Sequence, residues 1–195
     1  CGDIAVSVYS GWLAYSTFDH DWVKQQIETT SVNTVLDKNW PGLHIEPLQA
    51  PENMEVLIGW TGSPASSPHL VSEVKRLKSD PAFYGEFLDS SHQCVENLIH
   101  AFKTNNIKGV QKMIRQNRLI IRQMDNQASV DIETEKLKHL CDIAEQHGGA
   151  AKTSGAGGGD CGIAIIHQNA DKQKIYEEWT SNGIKPLLFK IYHGQ

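Results

Sequence analysis

The sequence predicts an α+β fold, and three patterns after residue 53 indicate it. A continuous apolar run from Val56 to Trp60 is typical of a strand that is buried on both faces. Stretches with apolar residues at helical spacing follow, and residues 150–166 then form two strand-like segments around a glycine-rich tip. A helix and an alternating strand complete the series. The order strand, helices, strand, strand, helix, strand is that of the ferredoxin-like split β-α-β fold, with extra helices inserted after its first strand.

The residues before position 54 form a separate group of predicted elements. In order, they are a helix at 3–9, a strand at 12–15, helices from Asp21 and around Val35, and a strand around Ile45. Ala50-Pro51 ends the last of these, because proline cannot donate to a strand ladder. Since the pattern changes to a buried strand at Met54, we place a domain boundary between residues 53 and 54.

Caps and apolar stripes delimit the helices that follow residue 60. Ser67 is expected to cap a helix, because its hydroxyl can accept a first-turn amide. Asp131 and Asp171 are expected to cap two later ones. The apolar stripes of three further helices are Leu88, Val95, Leu98, Ile99 and Phe102; Ile107, Val110, Ile114 and Ile121; and Leu137, Leu140, Cys141 and Ala144. The final strand is predicted from the alternating Leu187, Phe189 and Ile191.

Composition and charge argue against several classes of function. Of 195 residues, 39% are hydrophobic and 21% are charged, as in soluble globular proteins. The net charge of −5 comes without a basic run, so nothing indicates nucleic acid or an anionic membrane. The four cysteines form no C-x-x-C pair, which is typical of reduced thiols in a cytoplasmic protein. We predict no metal site, because acidic residues at a helix start explain His20 and its neighbours Asp19 and Asp21.

The glycine-rich tip has two interpretations. It is either a wide hairpin loop or a loop that packs against a phosphate-binding element or a substrate, since glycine lets another backbone or a phosphate approach closely. The spacing matches neither the Rossmann nor the Walker motif in its required setting.

Three segments together resemble the family of galactokinase, homoserine kinase, mevalonate kinase and phosphomevalonate kinase, the GHMP kinases. Residues 152–161, K-T-S-G-A-G-G-G-D-C, resemble the third signature motif of that family. Residues 1–5, C-G-D-I-A, and residues 60–67, W-T-G-S-P-A-S-S, are also similar, and the similarity is greatest to the phosphomevalonate kinase branch. The three matches span the chain, so the resemblance covers nearly all of it.

The resemblance implies that this chain is the C-terminal half of such a kinase. The family's nucleotide loop, a P-x-x-x-G-L-G-S-S-A-type motif, is not in the sequence. Residues 1–53 would be the remainder of the N-terminal, nucleotide-binding kinase domain, and residues 54–195 the GHMP C-terminal domain. ATP and Mg²⁺ would act in the complete enzyme, whose N-terminal half would be a partner of this chain. The isolated chain is expected to show little or no activity.

The resemblance also implies roles for particular residues. Asp3 matches the family's acidic residue beside the attacking group, so its implied role is general base or orienter; the alternative is a helix cap. The residues expected to brace a phosphate-binding element are Ser154, Gly155, Ala156, Gly157, Gly158 and Gly159.

The loop after the first buried strand is a second candidate for chemistry. It carries hydroxyls and leads into a helix N-terminus, where backbone amides and the helix dipole favour an anion. Its hydroxyl residues are Thr61, Ser63, Ser66 and Ser67. Capping alone explains Ser67, but it does not require the other three. The resemblance favours a lining of the pocket for a phosphorylated substrate.

Arg118 is a third candidate, because it lies between Ile114 and Ile121 on the apolar side of its helix. An unpaired buried charge is costly, so the guanidinium needs a partner. It could pair with a carboxylate, extend to the rim, or bind a substrate phosphate with two hydrogen bonds. We carry it among the substrate-binding residues, with the other two options open.

The implied activity is ATP-dependent phosphorylation of mevalonate 5-phosphate to mevalonate 5-diphosphate, in isoprenoid biosynthesis. One alternative is another GHMP kinase, such as mevalonate or homoserine kinase. The alternative of a different class is a non-catalytic ferredoxin-like binding module. The segment Gly2-Asp3 favours a kinase, since a module needs no acidic residue there.

Overall fold

The computed structural model describes residues 1–65, 77–128, 130–155 and 157–192. The chain separates into two units: Cys1–Ala50 with the residues from Lys190 on, and Pro51–Phe189. The boundary predicted between residues 53 and 54 lies close to this division. The sequence did not predict that the chain returns to the first unit after Phe189. In this returning segment, the Tyr192 carbonyl accepts a hydrogen bond from the Gly11 amide at 2.9 Å.

The first unit contains three helices and a two-stranded sheet among its described residues. Its elements are α1 (Gly2–Tyr9), β1 (Trp12–Ser16), α2 (His20–Thr29), α3 (Val32–Leu36) and β2 (His44–Leu48). Strands β1 and β2 pair antiparallel, with Ala14 opposite Glu46. The Asp19 carboxylate caps α2 by accepting the Trp22 amide at 3.0 Å. All of these elements lie where the sequence predicts them.

The second unit contains the predicted split β-α-β order. Its elements are β3 (Met54–Trp60), a 3₁₀ turn (Leu77–Ser79), α4 (Pro81–Lys103), α5 (Ile107–Ala128), α6 (Glu135–Gln146), β4 (Ala150–Thr153), β5 (Cys161–His167), α7 (Lys172–Ser181) and β6 (Lys185–Leu187). The four strands form an antiparallel sheet in the order β4-β5-β3-β6, so the first strand of the unit lies between the third and the fourth. This is the ferredoxin-like arrangement, and it confirms the predicted fold class.

Helices α6 and α7 share one hydrophobic core with the sheet. Its residues include Leu57, Ala151, Ala164 and Ile166 from the strands, Leu140, Cys141, Ile143 and Ala144 from α6, and Ile175 and Trp179 from α7. Two glycines that face each other in neighbouring strands, Gly59 and Gly162, allow α6 to approach closely. A Cβ at either position would lie 2.7 Å from a methyl group of Leu140.

Two element boundaries differ from their predictions. Helix α6 is capped by Thr134, not Asp131: the Thr134 hydroxyl accepts the Leu137 amide at 3.4 Å. The last strand ends at Leu187, and Phe189 is 42% exposed. Strand β6 pairs with β3 only as far as Leu187, which lies opposite Ile58. The alternating apolar pattern in the sequence therefore continues beyond the last paired residue. The helix predicted to begin after Ser67 lies outside the described residues.

Candidate functional site

The loop between β4 and β5, which we call the glycine loop (Ser154–Asp160), has an unusual backbone. Its residues with positive φ are Gly155, Gly157, Gly158, Gly159 and Asp160. This left-handed region is costly for residues with a Cβ, which explains why the sequence places glycine at four of these positions. Ser154 is exposed at the start of the loop, and its amide donates to the Cys161 carbonyl at 2.9 Å. Ala156 lies outside the described residues.

The glycine loop lies directly against the loop that follows β3. The Thr61 amide donates to the Asp160 carbonyl at 2.8 Å, and the Asp160 amide donates to the Ser63 carbonyl at 2.7 Å. A Cβ at Gly159 would lie 2.9 Å from that same Ser63 carbonyl oxygen. Two of the segments singled out in the sequence, the glycine loop and the loop after β3, are therefore held together by backbone hydrogen bonds.

Within the β3 loop, Thr61 and Ser63 have different environments. Thr61 is 1% exposed, and its hydroxyl donates to the Ser63 carbonyl at 3.5 Å. The buried Thr61 side chain therefore stabilises the loop from within the protein and does not line an open surface. Ser63 is exposed. Ser66 and Ser67 lie outside the described residues, so their predicted substrate contacts remain predictions.

On its other side, the glycine loop contacts the segment before α6. The Gly158 amide donates to the Ile132 carbonyl at 2.7 Å. A Cβ at Gly157 would overlap both the carbonyl and the side chain of Ile132. Ile132 is 3% exposed, so the glycine loop packs on a buried residue that the sequence analysis did not identify.

Lys136 is another residue that the sequence analysis missed. Its ammonium donates to the Thr61 carbonyl at 2.9 Å and to the Gly183 carbonyl at 3.5 Å. It thereby connects the end of β3 with the turn before β6. The sequence did contain an indication of this role. A lysine in the first turn of a helix interacts unfavourably with the positive end of the helix dipole, so its ammonium is expected to have another partner.

Arg118 lies in a buried ionic cluster. Its Nε and one Nη donate to the two carboxylate oxygens of Glu133 at 2.7 and 2.8 Å. Asp142 and Glu145 accept further hydrogen bonds at 2.8 and 3.2 Å. Burial opposes the charged form, but the hydrogen bonds that the guanidinium donates to Glu133 and Asp142 outweigh it and hold the pKa of Arg118 above its ordinary value. With its donors directed at carboxylates, Arg118 supports the buried-pair interpretation over the predicted contact with a substrate phosphate.

Lys152 precedes the glycine loop and is also largely enclosed. Its ammonium donates to the Thr153 carbonyl at 2.8 Å, and burial lowers the pKa of this lysine. The buried hydroxyl of Thr153 has no hydrogen-bond partner among the described residues. Neither side chain presents a charged or polar group that the geometry assigns to a substrate.

Asp3 belongs to the first unit and lies in the first turn of α1. Its side chain is 86% exposed. Cys1, not Asp3, occupies the N-cap position. Asp3 presents an exposed carboxylate, and both its catalytic role and the capping alternative stay predictions.

Among the described residues, no group of three or more His, Cys, Asp or Glu side chains could hold a metal ion. No helix in the described ranges is long and apolar enough to cross a membrane.

A cavity of about 390 Å³ lies between α4 and α5, lined by residues from Phe83 to Ser90 and from Gln123 to Gln127. None of the residues predicted to form a site lines this cavity.

The family comparison matches the part of the chain that contains the glycine loop and the Arg118 cluster. Residues 98–185 match the family model described as GHMP kinases C terminal. This part of the chain is therefore similar to the C-terminal domain of the GHMP kinases. The matched range runs from the second half of α4 to the start of β6, so it includes Ile132 and Lys136 but neither Asp3 nor Thr61.

Individual relatives extend the similarity beyond the GHMP domain. The chain is 36% identical over 189 residues to a phosphomevalonate kinase of Streptomyces sp. (strain CL190), covering 95% of this chain and 50% of that protein. It superposes on a Lin0012 protein from Listeria innocua with a TM-score of 0.91 and 40% identity, covering 97% of this chain and 54% of that one. For a Streptococcus pneumoniae phosphomevalonate kinase in complex with phosphomevalonate and AMPPNP, the TM-score is 0.84 and the identity 28%, covering 96% of this chain and 54% of that one. The chain thus spans about half the length of the relatives it matches.

The thiol of Cys141 provides a test of whether water is excluded from the core beside the Arg118 cluster. Burial raises the pKa of the Cys141 thiol to about 12. An unfolded thiol ionises near pH ~8.5, so above that pH the unfolded chain binds fewer protons than the folded one, and stability falls as pH rises. We expect the free energy of unfolding to lose up to ~1.4 kcal/mol per pH unit from this thiol between about pH 9 and 12.

The measurement compares urea unfolding of the wild type and Cys141→Ala under reducing conditions from pH 7 to 11. The alanine variant loses packing at every pH, so only the pH dependence of the difference is informative. We expect that difference to be constant below pH 8 and to shrink above pH 9. A difference that stays constant up to pH 11 would contradict a buried, neutral thiol.

Proposed function

We propose that the protein containing this chain is a phosphomevalonate kinase, which transfers the γ-phosphoryl group of ATP to the phosphate of mevalonate 5-phosphate and releases mevalonate 5-diphosphate, a step of isoprenoid biosynthesis. The observation that carries the proposal is the 36% identity to a phosphomevalonate kinase along 95% of this chain. The three motifs that resemble this branch, around Asp3, Thr61 and the glycine loop, support it.

The chain's own residues suit a reaction that depends on positioning and charge. In phosphoryl transfer the protein does little covalent chemistry, and fixed groups stabilise the charge of the transferring phosphoryl. The glycine loop is held from two sides, by Ser63 and by Ile132, so its backbone is fixed before a substrate arrives. Because the Gly158 and Asp160 amides already donate to the carbonyls of those two residues, the loop would act by bracing the groups that hold a phosphate, and not through these two amides.

Asp3 would orient the acceptor phosphate and help to hold Mg²⁺. A phosphate monoester is largely ionised at pH 7, because its second pKa is near ~6, so it hardly needs a base. The exposed carboxylate fits one position of a magnesium shell, since Mg²⁺ usually takes one or two carboxylates and completes its shell with phosphates and water. Bound Mg²⁺ and ATP would supply charge neutralisation and the transferred group. The residues that hold the nucleotide are proposed to lie in the part of the relatives that this chain does not match.

The alternatives are less well supported. Two mevalonate kinases of known structure share 18% and 20% identity with this chain, and similarity at this level shows the fold alone. The exposed carboxylate of Asp3, in a segment that resembles the family's acidic motif, favours a kinase over a non-catalytic binding module. The cytoplasmic location indicated by the cysteine pattern remains a prediction.

The test is the effect of Asp3→Asn and Asp3→Ala in the full-length enzyme, with mevalonate 5-phosphate and ATP–Mg²⁺ as substrates. Both variants remove the negative charge, and asparagine caps a helix about as well as aspartate does. We therefore expect both to lower kcat by ~10²-fold, at the low end of the effect of a catalytic acid–base group, with thermal midpoints close to the wild type.

Asp21→Asn is the matched control, because Asp21 is also an exposed acidic residue in the first turn of a helix, α2. It should leave kcat unchanged. The catalytic assignment fails if Asp3→Asn keeps the wild-type rate or if the control variant is impaired equally. Absence of turnover by the wild type with mevalonate 5-phosphate would reject the proposed substrate.

A further inference from the structure

We propose that Arg118 is a positioning residue for the glycine loop, and that it acts through Glu133 and Ile132. The proposed catalytic consequence rests on the proposed function, whereas the effect on loop position does not. Three consecutive contacts connect a buried guanidinium on α5 with a backbone amide in the glycine loop.

The first contact is the ion pair between Arg118 and Glu133. The two side chains are 6% and 3% exposed, and two parallel hydrogen bonds of 2.7 and 2.8 Å join them. Such a planar, bidentate pair fixes the orientation of the carboxylate as well as its distance. The position of Glu133 is therefore determined by α5, 15 residues earlier in the chain.

The second contact fixes the backbone at Ile132 and at Glu133. The Asp125 carboxylate, also on α5, accepts the Ile132 amide at 2.9 Å and the Glu133 amide at 3.0 Å. Thr134 then begins α6. In the segment 132–134, the Asp125 carboxylate thus binds the backbone and Arg118 binds the Glu133 side chain. The segment therefore has little freedom to shift.

The third contact transfers this position to the glycine loop. The Ile132 carbonyl accepts the Gly158 amide at 2.7 Å, and Gly157 packs so closely on Ile132 that no Cβ fits between them. A displacement of Ile132 would therefore move the loop or break this hydrogen bond. Since Glu133 follows Ile132 directly, loss of its ion pair would release the residue that the loop contacts.

The chemistry of the cluster requires arginine. Three carboxylates, Glu133, Asp142 and Glu145, take hydrogen bonds from three different nitrogens of one guanidinium. A lysine ammonium is a point charge and cannot reproduce the parallel pair to Glu133. Arg118→Lys should therefore keep the charge but lose the orientation of Glu133.

The test is hydrogen exchange of the Gly158 amide, measured by NMR in the full chain. The variants are Arg118→Lys and Glu133→Gln, and the amides of β5 serve as an internal reference for overall stability. Asp125→Asn weakens the hold on the same segment from its other side, so it provides an independent variant if either of the first two does not fold. We expect exchange at Gly158 to accelerate ~10-fold more than exchange in β5, because local opening becomes easier than unfolding of the sheet.

Ile175→Val is the control for a general loss of stability. Ile175 is fully buried on α7, within the same core, and none of the three contacts involves it. This variant should accelerate exchange in β5 at least as much as exchange at Gly158. If Arg118→Lys, Glu133→Gln and Asp125→Asn also accelerate exchange at Gly158 no more than in β5, Arg118 contributes only stability and the proposal is rejected.

A kinetic measurement extends the test to the full-length enzyme. If the loop holds the phosphorylated substrate, Glu133→Gln should raise KM for it several-fold more than Ile175→Val does. An enzyme without turnover on that substrate would reject the proposed function while leaving the exchange result intact. Exchange at Gly158 that differs from β5, together with an unchanged KM, would overturn the catalytic part of the proposal alone.

Discussion

Gly157→Ala should destabilise the second unit by about 2–5 kcal/mol and displace the glycine loop. Two costs add at this position. The backbone has φ of 78°, which costs a residue with a Cβ about 1–2 kcal/mol. The new methyl group would also overlap the Ile132 carbonyl and side chain, and overpacking of this kind costs about 1–3 kcal/mol. Because Ile132 is anchored by Asp125 and Glu133, we expect the loop to move.

Gly155→Ala separates these two costs. Gly155 has a similar φ of 73°, but a Cβ there would meet none of the described atoms within 4 Å. This variant should therefore lose only the conformational cost of about 1–2 kcal/mol. Chemical denaturation of both variants provides the comparison. Equal losses would mean that the contact with Ile132 does not constrain the loop, and that the loop is a surface turn.

Arg118→Met should cost about 3–5 kcal/mol of unfolding free energy, because it leaves the buried Glu133 carboxylate without its bidentate partner. Arg122 lies 3.9 Å from Glu133, but it is 46% exposed and cannot donate the same pair of short hydrogen bonds. Asp142 and Glu145 are 41% and 31% exposed, so water can solvate them when the guanidinium is lost. The unpaired charge of Glu133 is therefore the dominant cost.

The double variant Arg118→Met/Glu133→Leu should recover most of this loss, since replacing both partners of a buried pair by apolar residues is often nearly neutral. Lys172→Met is the control for burial. Lys172 and Glu55 form an equally short pair of 2.7 Å, but their side chains are 50% and 34% exposed. Breaking an exposed pair should cost at most about 1 kcal/mol. If the double variant is no more stable than Arg118→Met, the loss does not come from an unpaired Glu133 charge.

The element order could be predicted because it depends on local patterns. The strand at Val56–Trp60, the helical stripe of Leu137, Leu140 and Cys141, and the cap at Asp171 all appear in the structure. Each is a property of neighbouring residues. Burial on both faces of that strand was predicted wrongly: Leu57 and Gly59 are buried, whereas the residues that alternate with them are half-buried. Element ends were less predictable: Thr134 and Asp131 are both good capping residues, and only the backbone path selects between them.

By itself, the sequence determined the fold class, the glycine loop with its positive-φ backbone, and the presence of Arg118 on the apolar side of its helix. Only the tertiary structure decided what these features contact. The partners of Arg118 lie 15, 24 and 27 residues away, and the glycine loop rests on Ile132 and on Ser63, from different parts of the chain. Periodicity specifies which face of an element is buried, because it reflects the local backbone. It cannot specify which distant segment packs there, because that depends on how all the elements assemble around one core.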